Sequence, residues 1–138
     1  MSRMSKAHIW VGFTRKKQSE FDKYFDQSKA FLFDSTGKEK NPSEVELSQF
    51  SKDLKKEYSF NEDFLFIYYA GEALLEIGEL LAEMEDISSP EIVKEACIAT
   101  GITEANAFFF YTDTNMKVNE PEKKFNDLTY IGFFDTTF

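Results

Sequence analysis

Cysteine and histidine are almost missing from this chain: 138 residues hold one of each, Cys97 and His8. A disulfide within the chain is therefore impossible, and neither a cysteine-type zinc site nor a histidine cluster can be assembled. Glycine is sparse, 6 residues that never cluster, so there is no glycine-rich loop to cradle a phosphate. No Gly-x-Ser-x-Gly elbow occurs to carry a nucleophilic serine. Apolar runs stay well short of the roughly 18 residues of a membrane-spanning helix. Residues 7–13 are apolar, but the run is short, contains His8 and meets Arg15-Lys16-Lys17 without a small-residue cleavage site. That is not a signal peptide, and a cytoplasmic protein is expected.

Basic residues are in the minority, 16 Lys and Arg against 25 Asp and Glu, for a net charge of -9. Direct binding to nucleic acid is not expected, because affinity for the phosphate backbone comes mainly from Lys and Arg. The imbalance is local. Residues 1–56 carry a net of +4 and residues 96–138 a net of -3, while residues 57–95 hold 11 acidic side chains and a single basic one, Lys94. Folding can gather such a block onto one face. The rest of the composition is globular: 42% hydrophobic and 30% charged residues. Its 16 phenylalanines, mostly core by their size, suit one domain over residues 1–138. A chain of this mass buries roughly two-thirds of its unfolded surface and needs no covalent staple.

Patterning along the chain alternates strand and helix. Residues 7–13 read as a strand, and apolar character on both its faces suggests an interior place in a sheet. Phe21, Tyr24 and Phe25 make one face of a helix over residues 19–27. Phe31-Leu32-Phe33 suggests a short extended piece, and Asp34-Ser35-Thr36-Gly37 and Asn41-Pro42 suggest turn and loop. Ser43 with Glu46 forms a capping box for a helix ending near Lys56, with Val45, Leu47, Phe50 and Leu54 on its apolar side. Residues 64–69 read as a strand, with the start of a buried helix as the alternative, because periodicity does not separate the two in so short a run. Over residues 72–86 the stripe Leu74, Ile77, Leu80, Leu81, Met84 predicts a helix, although Gly78 weakens it. Ser88-Ser89, Pro90, Glu91 and Gly101 mark both ends of another helix, with Ile92, Val93, Ala96, Cys97 and Thr100 on its buried face. Residues 105–112 read as a strand and 112–125 as a polar loop. In a last strand over 128–134, Leu128, Tyr130 and Gly132 alternate with Thr129, Ile131 and Phe133. The implied class is α+β, a small mainly antiparallel sheet with helices packed on one face.

Few residues invite catalysis. Cys97 lies on the inner face of a helix and reads as a small buried thiol. His8, near the start of a strand, reads as a structural histidine. Glu72, Glu76, Glu79 and Glu83 are spaced to form one ridge of the helix over 72–86, where like charges repel mildly. A solvated face is one reading of that ridge. A second is a docking surface for a basic partner, which would relieve the repulsion and speed association. The third, a carboxylate metal site using Glu72, Glu76 and Glu79, lacks the histidines that helical di-metal sites use. Tyr58, Tyr68 and Tyr69 lie beside the acidic segment and supply anchors of the kind enriched at interfaces, or core rings with hydroxyls at the rim.

Several short blocks resemble the immunity protein 22 family, once a domain of unknown function. They are His8-Ile9-Trp10-Val11-Gly12, Glu20-Phe21-Asp22-Lys23-Tyr24-Phe25, Gln49-Phe50-Ser51-Lys52-Asp53 and Glu62-Asp63-Phe64. Gly101-Ile102-Thr103-Glu104-Ala105-Asn106-Ala107, then Phe109 and Tyr111, and Phe125-Asn126-Asp127-Leu128-Thr129-Tyr130-Ile131-Gly132 complete the series in order. The resemblance implies a small α+β protein, encoded beside a bacterial polymorphic toxin, that binds and neutralises that toxin in the producing cell. It implies no catalytic residue, cofactor or metal. The chain departs from the expected pattern at Asp127, where a glycine is expected, and at Ser48 and Ser51, where a cysteine-rich block is expected. The expectation is a non-enzymatic inhibitor, monomer or weak homodimer, using Glu72, Glu76, Glu79, Glu83, Tyr68 and Tyr69 against a basic toxin surface, with a nuclease as the toxin class the charge suggests. The rivals are an adaptor domain with no toxin, a carboxylate-metal hydrolase and an acidic mimic of DNA.

Overall fold

A computed structural model describes residues 5–27, 46–55, 60, 62–84, 87, 89–113, 116–118 and 120–136. These fall into two compact units, one built from residues 1–15 and 62–138, the other from residues 16–61. The architecture is α+β.

The larger unit is organised around strand β1 (Ser5–Gly12), which lies between β5 (Ala107–Thr112) and β6 (Thr129–Thr136), with β2 (Leu65–Tyr69) beyond β5. Every pairing in this four-stranded sheet is antiparallel. The interior place expected for β1 is the observed one. Its two faces serve two apolar layers. Ala7, Ile9 and Val11 join Phe108 and Phe110 on one side, where α3 (Ile77–Leu81) and α4 (Pro90–Ala99) supply Ile77, Leu80, Leu81, Val93 and Cys97. On the other side Trp10, fully buried, stacks on Phe109 at 4.8 Å and Phe125 at 5.1 Å.

The strict alternation expected in the last strand is not observed. The β1–β6 register shifts between Ile9 and Trp10, which pair with Gly132 and Tyr130, so β6 carries an extra residue there. After this bulge Tyr130 and Phe133 both stack on the His8 ring, whereas Ile131 and Phe134 both pack into the helix-side core. A bulge re-aims side chains in this way. Just before β6, Asn126 and Asp127 have φ of 54° and 69°, and Phe125 and Leu128 exchange both backbone hydrogen bonds. Two positive φ values in a two-residue loop favour glycine at the second position. Asp127 tolerates that place with help: the Thr14 hydroxyl donates to its carboxylate at 2.8 Å.

Helix α4 begins and ends where its sequence announces, although the Ser89 side chain makes no capping hydrogen bond. Pro90 opens it, Gly101 adopts φ 89°, and the amides of Gly101 and Ile102 donate to the carbonyls of Ile98 and Cys97. This is the paired closure of a Schellman motif. Its buried face is narrower than expected. Val93 and Cys97 are buried, but Ile92 is 55% exposed and Thr100 is exposed, its hydroxyl donating to the Ala96 carbonyl.

The helix expected over residues 72–86 is largely absent. Gly71 turns the chain at φ 79°, and Leu75–Glu76 form a short strand, β3, paired with β4 (Glu104–Ala105). Among the described residues of this stretch, only Ile77–Leu81 are helical. The Ile77 amide donates to the Thr103 carbonyl, so the helix starts on a tertiary bond. Leu74, expected on the buried stripe, is 48% exposed. The strand expected over 105–112 is likewise divided at Asn106 between β4 and β5.

The smaller unit holds α1 (Gln18–Lys23) and α2 (Gln49–Asp53) around a cluster of Phe21, Tyr24, Phe25, Phe50 and Phe60, with Phe25 and Phe60 edge-on to Phe50. The amide of Gln27 clamps the backbone of Phe60, accepting from its N–H at 2.8 Å and donating to its carbonyl at 3.1 Å. Helix α1 stops before Gln27, shorter than expected. The cap of α2 is Ser48, which accepts from the Ser51 amide at 3.1 Å, and residues 46–48 are not helical, so the expected capping box at Ser43 does not start this helix. Ser43 itself, the stretches at Phe31–Phe33, Asp34–Gly37 and Asn41–Pro42, and Tyr58 and Ser88 lie outside the described residues.

Candidate partner-binding surface

The acidic block lies on the path from the end of β2 through the Gly71 turn, β3 and α3. Its four expected glutamates do not form one helical ridge. Glu72 sits in the turn, Glu76 in β3, Glu79 in α3 and Glu83 just after it. All four are exposed. The repulsion at helical spacing is replaced by a cross-strand one. Glu76 lies directly opposite Glu104 of β4, which is also exposed. Side chains so placed have Cβ atoms about 5 Å apart, and like charges there destabilise the ribbon.

Among the described residues no Lys or Arg lies within ion-pair distance of Glu72, Glu76, Glu79, Glu83 or Glu104. The nearest cation on α4 is Lys94. Its Nζ and the Glu76 Oε1 both border Gly78, at 3.3 and 3.6 Å from where a Cβ would stand. Lys94 thus softens the field at Glu76 without forming an ion pair with it.

Asn106, 1% exposed, holds this surface in place. Its Oδ1 accepts from the Thr14 amide at 2.9 Å, and its Nδ2 donates to the carbonyls of Thr14 and Gly71, each at 2.8 Å. Its backbone bonds Gly12 and Ala70. One buried amide therefore joins the ends of β1, β2 and β5, and sets the direction in which β4 leaves to meet β3. A buried amide with both donors and its carbonyl oxygen engaged is a rigid joint. Sequence reasoning passed over both Asn106 and Glu104. A lone polar residue between Ala105 and Ala107, at the head of an apolar strand, was the available signal for the first. No local signal existed for the second.

The tyrosines are not a pair. Tyr68 and Tyr69 point to opposite faces of β2, as successive strand residues do. Tyr68 stacks on Phe108 at 5.5 Å and packs against the helix-side core, half-buried. Tyr69 is half-buried on the other side.

Catalytic chemistry finds little here. Cys97 is fully buried, and burial pushes its thiol up to about 12, so the nucleophilic thiolate is scarce at neutral pH. The carboxylate-metal reading required Glu72, Glu76 and Glu79 on one helix, which they do not share. Among the described residues no three His, Cys, Asp or Glu side chains are gathered as a metal would need. In the smaller unit an open cleft of about 500 Å³ is lined by Lys16, Lys23 and Lys52 and by Glu20, Asp26 and Glu46, with opposite charges intermixed. Beneath it the Tyr24 hydroxyl donates to Asp53 at 2.5 Å, and burial and that carboxylate keep the phenol protonated. Among the described residues no helix is long and apolar enough to cross a membrane.

Neither a curated protein nor a solved structure matches the chain. A family model described as Immunity protein 22 matches residues 7–136.

Proposed function

Since the chain belongs to the immunity protein 22 family, we propose that it binds a cognate bacterial toxin one-to-one and blocks it without catalysis. The observation that carries this reading is the Glu76–Glu104 pair: two exposed carboxylates set opposite each other, neither in an ion pair among the described residues. Such a pair costs stability in the free protein, and a basic side chain from a partner removes the cost. Glu72, Glu79 and Glu83, exposed on the segments just before and after Glu76, add to the negative charge. A basic toxin surface would be drawn to it from a distance and held in register. Nucleases present basic clefts to their substrates, which makes a nuclease toxin the best fit to the charge. Tyr68 and Tyr69 flank the surface at the edge of the sheet, each on its own face, as anchors. The producing cell's cytoplasm is the compartment where such protection is needed, and no cofactor enters the mechanism.

The test is association with the toxin domain encoded beside this gene. Glu76→Lys combined with Glu104→Lys should slow association at low salt by about tenfold or more, the scale of electrostatic steering, and leave the fold intact by circular dichroism. Binding with an unchanged rate would move the interface elsewhere. Failure of the unmodified protein to bind or protect at all would defeat the immunity reading itself.

A further inference from the structure

Strand β6 closes one side of the four-stranded sheet, and among the described residues no strand pairs with its outer edge. An open edge carries a row of backbone donors and acceptors that can receive another strand, and proteins blunt such edges with proline, lysine or short strands. β6 has eight residues, with no proline and no lysine. Its bulge interrupts the edge at Ile131–Gly132. Beyond it Phe133–Thr136 run in unbroken register with Ser5–His8.

This outer half is apolar on both faces. Phe133, 42% exposed, lies on the His8 side. Phe134 lies on the helix side and shares a depression of about 180 Å³ with Ile92 of α4, which is 55% exposed. Charge here is balanced. Asp135, the one charged residue of β6, is 3.6 Å from Lys6, whose Nζ is also 5.0 Å from the Phe133 ring centre. The edge therefore offers no excess charge to a basic or an acidic partner, but it does match itself. Residues directly opposite in an antiparallel pair share a face. A twofold axis at Phe134 sets that ring against its own counterpart. Phe133 of each copy then faces Asp135 of the other. The Glu76–Glu104 pair stands toward the far end of β1, where the Asn106 amide bonds the Gly12 carbonyl. Antiparallel pairing sends these acidic ends in opposite directions, which limits the repulsion between two chains of net charge -9.

We propose that the outer half of β6 is a self-pairing edge: two copies join Phe133–Thr136 antiparallel across a twofold axis at Phe134, merging their sheets into one. Each copy uses the same surface, as a twofold contact requires. The Glu76–Glu104 surface of each copy takes no part in it.

Sedimentation of the full chain over about 1–1,000 μM, the span in which a weak contact becomes populated, should show the mass rising from 16.0 kDa toward twice that value. In a mixture of labelled and unlabelled chains, NMR should show contacts between Phe134 rings of different copies. Ile92→Lys, at an exposed helix position, should weaken the dimer by about tenfold or more, because it buries an unpaired charge in the contact, with circular dichroism unchanged. Higher salt should strengthen association by screening the acidic chains from each other. A chain that stays monomeric, a dimer without the Phe134 contacts, one that salt weakens, or one that Ile92→Lys leaves intact would overturn the proposal. So would a monomer whose β6 amides gain protection from hydrogen exchange only when the toxin domain is added, since the edge would then receive a strand of the toxin. Should Ile92→Lys fail to fold, the contacts in the unmodified chain decide alone.

Discussion

Residues 72–86 and 90–101 carry the same kind of apolar stripe, yet one folds as a complete helix and the other as a turn, a strand and a single helical turn and a half. The difference lies at the ends. The second stretch has Pro90 at its start, Glu91 in its first turn and Gly101 in the left-handed conformation past its end. Neither helix has a side-chain cap hydrogen bond at its start, but the first stretch also lacks a terminating glycine and carries one in its middle. Periodicity marks which side chains are buried. End chemistry decides whether the backbone between them closes into a helix, because short helices are marginal without caps or tertiary support. Ile77, Leu80, Leu81 and Met84 are buried as the stripe requires, but α3 begins where the Thr103 carbonyl receives the Ile77 amide.

If α3 is held by packing alone, emptying its fully buried position should be the most damaging change. Leu80→Ala is expected to cost about 2–5 kcal/mol, the range for core leucines, read as a fall in urea midpoint with loss of helical signal. The capped helix should depend instead on its terminus. Gly101 has open space around its Cβ position, so Gly101→Ala isolates the cost of φ 89° in a residue with a side chain, about 1–2 kcal/mol by thermal melting. The contrast sharpens in the opposite direction at Gly78. There Gly78→Ala should stabilise by about 0.5–1 kcal/mol, since the added methyl meets only the far ends of two long side chains, the Lys94 amine at 3.3 Å and the Glu76 carboxylate at 3.6 Å. A lower melting temperature would show that the close approach of Lys94 matters more than helix propensity.

The smallest effect is the most informative about function. Glu76→Lys faces Glu104 with an opposite charge and should raise stability by a few tenths of a kcal/mol, while weakening association with the toxin. A surface kept for binding should show that opposition. Equal losses of stability and binding would mark Glu76 as structural.

Where local chemistry was decisive, reading the residues succeeded. The central place of β1 followed from its two apolar faces, the boundaries of α4 from its capping residues, and the inert character of Cys97 from its helical position. The candidate site was legible only as a stock of carboxylates. Glu72, Glu76, Glu79 and Glu83 are exposed and hold no ion pair among the described residues, but the helix meant to align them does not form. Their real geometry depends on Glu104, 28 positions beyond Glu76, and on Asn106, whose three side-chain and two backbone bonds tie the ends of β1 and β2 to the head of β5. The bulge at Gly132 was equally invisible, because a two-residue alternation in sequence is silent about a register shift against a neighbour.

Composition and pattern determined by themselves that this chain has no disulfide, no cysteine or histidine metal cluster, an acidic middle and an α+β plan, since each depends on counts or on neighbours a few residues apart. Only the tertiary structure decided which acids confront each other, how Asn106 ties the strand ends together and where the helix over 72–86 gives way to strand. Those outcomes depend on hydrogen bonds between segments far apart in the chain, and a backbone amide takes whichever partner the assembled fold brings within reach.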